Sequence, residues 1–469
     1  MSKLSRKHFL RQSSLGIAGI AATPFFNPGS SQFEELKNRN WKKKFSANDR
    51  IQIACIGMGI IAHYDIQTAL EVPGVEFIAG ADCYDSRLER TKEVFGRHIF
   101  TTRDYREILD RPDIDAVLIC TPDHWHARMA VDALDAGIHV YCEKPMVQKI
   151  EEGRTVIEAH NRSNRILQVG SQFASDIIFL KAAELFRSGA IGTLNQVVAV
   201  FNRNSSLGAW QYSIPQHATP ETVDWEGFLG HAPHTEWDPK RFFRWRCYDD
   251  YGTGVPGDLF VHLFTGIHTV VGAAGPTHIF GTGGIRSWFD GREAPDVING
   301  QYHYPETENH PEFTLTLQSN LADGGGTGTS FQFIGDEGAM EVSPGSSLTL
   351  TRLPRREPTV NQLVSGYNSV MTFSEDVRRE FEDSLRSGLA NTVQYQPEMN
   401  RTEEFRTVSG YNSRLDHFVN FFDSIRSGAS FLEDPEFGFR AAAPALLTNT
   451  SLREQRVVQW DPVDMRIPS

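Results

Sequence analysis

The sequence predicts a two-domain α/β protein, with a doubly wound domain over residues 49–172 and a β-rich domain over residues 173–469. Three observations predict this fold. The chain has 469 residues, more than one hydrophobic core usually organises. Strand-like and helix-like segments alternate from residue 51 to residue 169, as in a parallel sheet with helices on both faces. After residue 193, β-rich segments separated by turn residues take over.

The first 48 residues differ in character from the rest and are excluded from the predicted domains. Residues 5–11 are basic and precede a mildly apolar run over residues 14–26. This pattern resembles a twin-arginine export signal, except that Lys7 stands where the second arginine is usual. Residues 23–48 are predicted to be a polar linker. We therefore expect a periplasmic or otherwise exported protein; a disordered basic tail on a cytoplasmic protein is the alternative.

Composition narrows the class of partner. The hydrophobic fraction is 40%, the charged fraction 22% and the net charge −13, values typical of a globular protein. The negative charge argues against nucleic acid or an anionic membrane surface as partner. No later stretch is apolar enough to span a bilayer, so we expect no membrane span in the mature protein. The five cysteines are an odd number without close spacing, which disfavours a disulfide framework or a zinc site.

A glycine-rich turn follows the first predicted strand. The apolar run 51–56 leads into Gly57-x-Gly59-x-x-Ala62, and a helix is predicted over residues 63–70. Gly57 permits the tight turn, Gly59 leaves room for a pyrophosphate, and Ala62 lets helix and strand pack closely. This order predicts a dinucleotide site at the helix N-terminus. Its predicted contacts are the turn residues Gly57, Met58, Gly59, Ile60 and Ile61.

The end of the second strand indicates which dinucleotide is bound. The apolar run 75–81 ends in Asp82, roughly 20 residues beyond the glycines, where a ribose-binding carboxylate is expected. A carboxylate accepts hydrogen bonds from both ribose hydroxyls and repels a 2′-phosphate. NAD is therefore predicted over NADP, although Arg87 is close enough to keep NADP open.

The remaining elements of the first domain follow in order. Helices are predicted over residues 86–95, 104–109, 126–136 and 151–161, and strands from residue 100 and over 116–120, 139–142 and 166–169. Asp123 is predicted to cap the third of these helices. Polar residues follow several strand ends: Asp82, Thr121, Lys144 and Gln172. Ligands bind doubly wound sheets at that edge, so the active site is predicted there.

Several motifs together resemble the glucose–fructose oxidoreductase and inositol dehydrogenase (Gfo/Idh/MocA) family. They are Glu143-Lys144-Pro145 and the segments 121–126, 257–262, 333–338 and 417–426. The resemblance implies an NAD-binding Rossmann domain and a C-terminal domain built on an open, mostly antiparallel sheet, often buried in a homo-oligomer. It also implies cofactor contacts from Thr121, Pro122, Trp125, His126, Glu143, Lys144 and Gln172.

The resemblance assigns catalytic roles to three residues. Asp258 and His262 stand four apart in a segment predicted to be helical, so they share a face. An acid that aligns an imidazole prepares a general base. The family pattern makes His262 the acid/base, Asp258 its partner and Lys144 the residue that binds the substrate oxygen. A surface ion pair between Asp258 and His262 is the alternative.

Polar and aromatic segments in the second domain suit a sugar. The candidate substrate contacts are Arg203, Trp245, Arg246 and Tyr251. Trp210 and Trp245 fit a core role equally well, and Trp225 and Trp237 are assigned to packing. No metal site is predicted, because His124 and His126 point in different directions at a helix start; Asp123 and His268 are the other candidates considered. Strands are predicted over residues 194–201, 297–304, 312–318 and 329–334, with a hairpin connection at residues 324–326.

Three functions are consistent with these residues. The leading hypothesis is an NAD-dependent oxidoreductase acting on a ring hydroxyl of a sugar, glycoside or cyclic polyol. Export would remove the enzyme from any nicotinamide pool, so a tightly bound, recycled cofactor is expected. The first alternative is an NAD-dependent glycoside hydrolase or lyase that oxidises a ring carbon transiently, with Tyr251, His217 or His231 as the extra base. The second is a non-catalytic NAD-binding protein.

Overall fold

The computed structural model describes residues 31–36, 50–353, 358, 360–389 and 401–468, and these residues form two sheets. A six-stranded parallel sheet lies in the N-terminal domain, and a ten-stranded, mostly antiparallel sheet lies in the C-terminal domain. This confirms the predicted fold class. The predicted signal, and all of the predicted linker except residues 31–36, lie outside the described residues. No helix in the described ranges is long and apolar enough to cross a membrane.

The strands are β1 Ser31–Leu36, β2 Ile51–Ile56, β3 Val75–Ala81, β4 Phe100–Thr102, β5 Ala116–Ile119, β6 His139–Cys142, β7 Leu167–Val169, β8 Leu194–Asn202, β9 His278–Gly284, β10 Val297–Tyr304, β11 Phe313–Asn320, β12 Gly328–Gly335, β13 Gly338–Ser343, β14 Ser347–Arg352, β15 Arg401–Thr407 and β16 Val458–Gln459. The α-helices are α1 Ile60–Ala69, α2 Asp85–Phe95, α3 Arg106–Leu109, α4 His126–Asp135, α5 Ile150–Ser163, α6 Ile177–Arg187, α7 Trp225–Leu229, α8 Pro239–Phe243, α9 Val261–Val271, α10 Val360–Ser365, α11 Glu375–Leu389, α12 Ser413–Ser427 and α13 Pro435–Glu454.

The parallel sheet has the order β4-β3-β2-β5-β6-β7, so the chain reverses direction across the sheet between β2 and β5. Its central strands are apolar on both faces because helices cover both, and Ile53 and Leu118 are fully buried. Helix α12, from near the C-terminus, covers part of one face. Its Phe418 stacks on Tyr141 of β6 with ring centroids 4.5 Å apart. The chain therefore returns to complete the core of the first domain.

The large sheet has the order β1-β15-β14-β13-β12-β8-β11-β10-β9-β16. Neighbouring strands are antiparallel except β1 with β15 and β8 with β11. The predicted hairpin at residues 324–326 is wrong, because β8 lies between β11 and β12 and these two strands do not pair. The glycines instead belong to a connection that crosses the end of β8. Helices α6, α9 and α13 pack on one face of this sheet, where Phe179 and Phe331 meet edge to face.

Three local expectations need correction. Residues 31–36, expected within a linker, form β1 and pair with β15. Helix α1 begins at Ile60 rather than residue 63, because Gly59 takes the extended conformation of a helix N-cap. Asp123 does not cap a helix with its side chain. Its carboxylate instead accepts hydrogen bonds from the Thr253 backbone N–H at 3.0 Å and hydroxyl at 2.6 Å.

Candidate active site

The glycine turn between β2 and α1 has the shape that a dinucleotide needs. Gly57 has φ +86°, and a Cβ there would lie 2.8 Å from the backbone of Cys120 and Thr121. Only glycine fits such a position. A Cβ on Gly59 would meet nothing within 4 Å, which leaves open space in front of the first N–H groups of α1. The turn therefore fits a pyrophosphate at this helix N-terminus.

Asp82 fastens this turn to the end of β3. Its Oδ2 accepts the Met58 N–H at 2.7 Å, and its Oδ1 accepts the Tyr84 N–H at 2.9 Å. Arg87 also approaches, with Nη1 3.3 Å from Oδ2, while its guanidinium lies over the rings of Phe242 and Phe243. Met58 meets this turn through its backbone alone, because its side chain is buried in the core.

A cleft of about 590 Å³ runs along this edge of the parallel sheet. Most predicted cofactor contacts line it: Gly57, Gly59, Ile60, Ile61, Asp82, Thr121, Pro122, Trp125, His126, Glu143 and Lys144. Gln172 is not on the wall. Its amide lies behind Glu143, 3.5 Å from Glu143 Oε1 and from the Tyr141 hydroxyl. Gln172 as a direct cofactor contact therefore stays a prediction.

The opposite wall of the cleft comes from the C-terminal domain. Residues 212–246, which we call the roof segment, contribute lining residues from Tyr212 to Arg246. Its backbone is bonded to the first domain: Asp224 N–H donates to Cys83 O at 2.8 Å, and Asp85 N–H donates to Thr222 O at 3.1 Å. Sequence reasoning missed this element, because nothing local in the chain indicates which strand end it meets.

Side chains reinforce the same junction. The Tyr84 hydroxyl lies 2.6 Å from His217 Nε2, and its ring meets Phe242 and Phe243 edge to face. His217 is thus engaged and does not line the cleft. Trp225 and Trp237 pack against each other within the roof segment, in keeping with their assignment to packing.

Lys144 and Asp258 form the polar centre of the site. Lys144 Nζ donates to the Asp258 carbonyl at 2.7 Å and to its Oδ1 at 2.9 Å. Arg246 Nε also donates to Oδ1, at 3.1 Å, and Trp210 Nε1 lies 3.3 Å from Oδ2. Arg203 Nη1 is 3.8 Å from Oδ2. Burial alone would raise the pKa of Asp258, but the three cations outweigh it and hold this pKa well below its usual range.

The predicted pairing of Asp258 with His262 is wrong. Asp258 lies in a π-helical turn, Pro256–Phe260, just before α9, and its carboxylate bonds the cations rather than the imidazole. A charged carboxylate is attracted more strongly by cations than by a neutral ring. Burial, and then the charge of Lys144, holds the pKa of His262 well below its usual range, so the ring is neutral. Its Nδ1 is buried without a hydrogen-bond partner among the described residues.

The predicted substrate residues divide into two groups. Trp245 and Arg246 line the cleft. Tyr251 is fully buried and its hydroxyl lies 3.3 Å from Thr235 Oγ1, so its prediction as a substrate contact is wrong. Arg203 is absent from the cleft wall; it donates to Gly208 O and approaches Asp258. Trp210 is fully buried, and it contributes through its indole N–H alone.

The histidines considered as metal ligands have other partners. His124 Nε2 lies 2.9 Å from Phe228 O, and burial lowers its pKa to about 4. His126 lies between the carbonyls of Pro145 at 2.7 Å and Thr121 at 3.0 Å. His268 bonds the Tyr304 hydroxyl. In the part of the chain that the structure describes, no group of three or more potential ligands could hold a metal ion.

A buried acidic group beneath the cleft was also missed. Asp65 of α1 is fully buried, 3.5 Å from Arg414 Nε of α12, and it accepts a hydrogen bond from the Cys120 thiol at 3.6 Å. Burial, followed by the charge of Glu143, raises its pKa well above the usual range. An acidic residue on the buried side of α1 is the only local signal for this group. Arg414 and Glu143 both line the cleft.

Comparison with known proteins relates the first domain to a family of oxidoreductases. Residues 51–171 match the model of an oxidoreductase family, Gfo/Idh/MocA, described by its NAD-binding Rossmann fold. The uncharacterized oxidoreductase YrbE of Bacillus subtilis is 33% identical over 144 residues, which are 31% of this chain and 42% of that protein.

Two further relatives have more specific names. Glycosyl hydrolase family 109 protein 1 of Shewanella sp. (strain ANA-3) is 25% identical over 231 residues, 47% of this chain and 50% of that protein. Inositol 2-dehydrogenase of Salmonella paratyphi B is 26% identical over 175 residues, 37% of this chain and 50% of that protein. The chain thus spans about half the length of these curated relatives, or less.

A solved structure extends the likeness in fold to both domains. Levoglucosan dehydrogenase, in a complex with NADH and levoglucosan, has a TM-score of 0.62 at 16% identity and covers 87% of this chain and 99% of its own. Together with the glycine turn and Asp82, the family match confirms the prediction of an NAD-binding site. Residues 51–171 of this chain thus match the NAD-binding Rossmann domain of the Gfo/Idh/MocA oxidoreductases.

Proposed function

We propose that this chain is an NAD-dependent oxidoreductase acting on a ring hydroxyl of a sugar, glycoside or cyclic polyol. One observation carries the proposal: Lys144, on the wall of the dinucleotide cleft, is bonded to Asp258 of the other domain. An ammonium group on the wall of a cleft that fits NAD is suited to bind a substrate oxygen. A bound NAD supplies a hydride acceptor, and the protein must then manage the hydroxyl proton.

The proton chemistry falls to two side chains. The Lys144 ammonium donates a hydrogen bond to the substrate oxygen and stabilises its developing negative charge. Asp258 orients Lys144 through two hydrogen bonds and is therefore a positioning residue. His262 follows on α9 as a neutral imidazole whose Nδ1 has no hydrogen-bond partner among the described residues, and we assign to it the acceptance of the hydroxyl proton. This division of roles replaces the expected Asp258–His262 pair.

The names of similar proteins support the substrate class. One relative is named inositol 2-dehydrogenase, and one structural neighbour is a levoglucosan dehydrogenase bound to NADH and levoglucosan. Inositol and levoglucosan are both cyclic and carry ring hydroxyls. In this chain Trp245 offers an aromatic face on the cleft wall, and such faces stack on the C–H surfaces of sugars.

The position of the roof segment supports the proposal that NAD stays bound and is recycled within each catalytic cycle. The segment covers the cleft from the second domain and is bonded across it to residues 83–85. A dinucleotide beneath it leaves only when these bonds open. Retention suits the export that we propose from residues 1–48, because an exported enzyme would meet no cofactor pool. A homo-oligomer is proposed from the family resemblance alone.

The test is turnover by protein that carries its own NAD. Wild-type chain, Lys144→Met and His262→Ala are purified, and the bound NAD is measured after denaturation. We expect all three to hold NAD and only the wild type to oxidise a sugar or polyol from a panel. Full activity in both variants would defeat the site assignment, and a chain that turns over no substrate would favour a non-catalytic NAD-binding protein.

A glycoside hydrolase or lyase is the second candidate, favoured by the match to the glycosyl hydrolase family 109 protein. Oxidation of a ring carbon acidifies the neighbouring C–H bond, so that a glycosidic bond can leave by elimination. Of the three bases considered, Tyr251 is buried in the core and His217 is bonded to Tyr84, while His231 is exposed next to Trp125. Release of 4-nitrophenol from nitrophenyl glycosides, with solvent deuterium entering at C2, would identify this reaction.

A further inference from the structure

The wall of the cleft carries an unusual guanidinium beside the catalytic lysine. Arg246 lies in the short turn Trp245–Cys247 at the end of the roof segment. Its guanidinium stacks over the Trp245 ring at 4.2 Å, which fixes the plane of the group. Among the described residues, only its Nε–H finds an acceptor, Asp258 Oδ1 at 3.1 Å. The two terminal nitrogens of the guanidinium form a fork and have no acceptor among the described residues, and Arg246 lines the cleft.

The positive charges around the Arg246 guanidinium outnumber the negative ones. Three cations, from Lys144, Arg246 and Arg203, lie within 4 Å of the single carboxylate of Asp258. Lys144 is only 10% exposed and Arg246 only 25%. Buried cations in excess of their counterions are costly, and a further anion relieves that cost. His262 adds no charge, because burial and the charge of Lys144 keep it neutral.

Other nearby acids do not remove the excess. Asp123 is buried, and burial raises its pKa above the usual value. Its Oδ2 also accepts two hydrogen bonds from Thr253. Glu143 lies near Arg414 and Asp65. Burial raises the pKa of Asp65 well above the usual range. The three cations at this end of the cleft thus exceed the charge of Asp258 by two, or by one when Asp123 is counted as ionised.

We infer that Arg246 forms an anion subsite and that the substrate is a carbohydrate acid, such as a uronate or an aldonate. This inference rests on the proposed function and names its substrate class. A planar guanidinium fork matches a carboxylate in a bidentate pair, and such charge-assisted bonds are among the strongest in proteins. The carboxylate would bind Arg246 while a ring hydroxyl meets Lys144.

The test compares sugars that differ only in charge. Binding of D-galacturonate and D-galactose, and of D-glucuronate and D-glucose, is measured by calorimetry on the full chain carrying NAD at fixed ionic strength. We expect at least one acid to bind at least about tenfold more tightly than its neutral partner, as expected for a charge-assisted pair. We expect Arg246→Gln to abolish the preference and Arg246→Lys to keep part of it.

The matched control is Arg241→Gln, which removes a guanidinium from the same roof segment. Arg241 is already paired with Asp250 at 3.0 Å and Glu293 at 3.4 Å and does not line the cleft, so the preference should persist. Thermal unfolding of each variant checks that it folds. Equal binding of acids and neutral sugars, equal losses in both glutamine variants, or tighter binding of galactose 6-phosphate would overturn the inference.

The failure of this inference can be distinguished from the failure of the proposed function. Binding requires no hydride transfer, so acids that bind through Arg246 without ever reducing NAD would refute only the oxidoreductase activity. Conversely, oxidation of neutral sugars with no preference for acids would refute only the anion subsite.

Discussion

The roof segment should control how fast NAD leaves, and one backbone hydrogen bond offers a clean test. Asp85 is the first residue of α2, and its N–H donates to Thr222 O of the roof segment at 3.1 Å. Asp85→Pro removes this donor. Proline is well tolerated at the first helical position, and the preceding Tyr84 has the extended conformation that proline requires (φ −117°, ψ 116°). The variant therefore removes the bond without breaking the helix.

The expected change in the NAD dissociation rate follows from the number of hydrogen bonds that hold the roof segment to the first domain. Two backbone hydrogen bonds, the Tyr84–His217 contact and a hydrogen bond from Arg103 to Glu221 O hold this junction. A net contribution of about 1 kcal/mol for one bond corresponds to about a fivefold change in the open population. We therefore expect NAD to dissociate about fivefold faster from Asp85→Pro. Adding Tyr84→Phe, which deletes the hydroxyl but keeps the ring, should multiply the rate by a similar factor.

The matched control is Asp85→Ala. It loses the same side chain, including the ion pair with Arg103, whose guanidinium also donates to Glu221 O, but it keeps the N–H, so both variants share any effect of that loss. Such exposed pairs contribute about 0–1 kcal/mol, so its release rate should stay near that of the wild type. The assay follows loss of bound NAD by mass spectrometry after rapid dilution and desalting. Equal release rates for Asp85→Pro and Asp85→Ala would refute the role of the roof segment.

Three further predictions concern stability and the cofactor. Gly57→Ala should destabilise the fold by about 1–3 kcal/mol and abolish NAD binding, because the added Cβ meets the Cys120 backbone at 2.8 Å and φ is +86°. Gly59→Ala should instead keep normal stability and lose NAD affinity alone, which thermal unfolding and calorimetry would show; equal destabilisation by the two changes would count against the assigned roles. Asp258 has a pKa held below its unfolded value, so it stabilises the fold above about pH 4, and this stabilisation is lost as the pH falls through the lower folded pKa. The free energy of unfolding should thus fall more steeply below pH 4 in the wild type than in Asp258→Asn, and parallel pH profiles would contradict it. Phe418→Ala should cost about 3–5 kcal/mol in denaturant unfolding, because this fully buried ring stacks on β6 and joins α12 to the first domain; a loss below 1 kcal/mol would contradict that packing.

Local patterns in the sequence were enough for most of the first domain. Most of the parallel strands are short apolar runs, and a helix follows most of them within a few residues, so periodicity places them. The contacts of the glycine turn and Asp82 were predictable for the same reason, since they follow directly from consecutive residues. The Lys144–Asp258 contact joins residues 114 apart, and only the family resemblance indicated it.

Features that depend on distant partners were beyond sequence reasoning. The partner of Asp258 was misjudged because spacing in a helix suggested His262, whereas three cations from other elements compete for the carboxylate. The roof segment meets the end of β3 more than 130 residues away, as the Tyr84–His217 contact shows. Strand β1 was hidden because its partner β15 lies near the other end of the chain.

The central claim is that Lys144 serves hydride transfer from a carbohydrate hydroxyl to NAD held in this cleft. The most direct measurement is absorbance at about 340 nm, where reduced nicotinamide absorbs, after mixing NAD-loaded chain with a panel of sugars, polyols and sugar acids in a single turnover. We predict reduction of the bound NAD by at least one panel member in the wild type, and none in Lys144→Met carrying the same amount of NAD. Equal reduction in both proteins, or none in either with NAD fully bound, would contradict the claim.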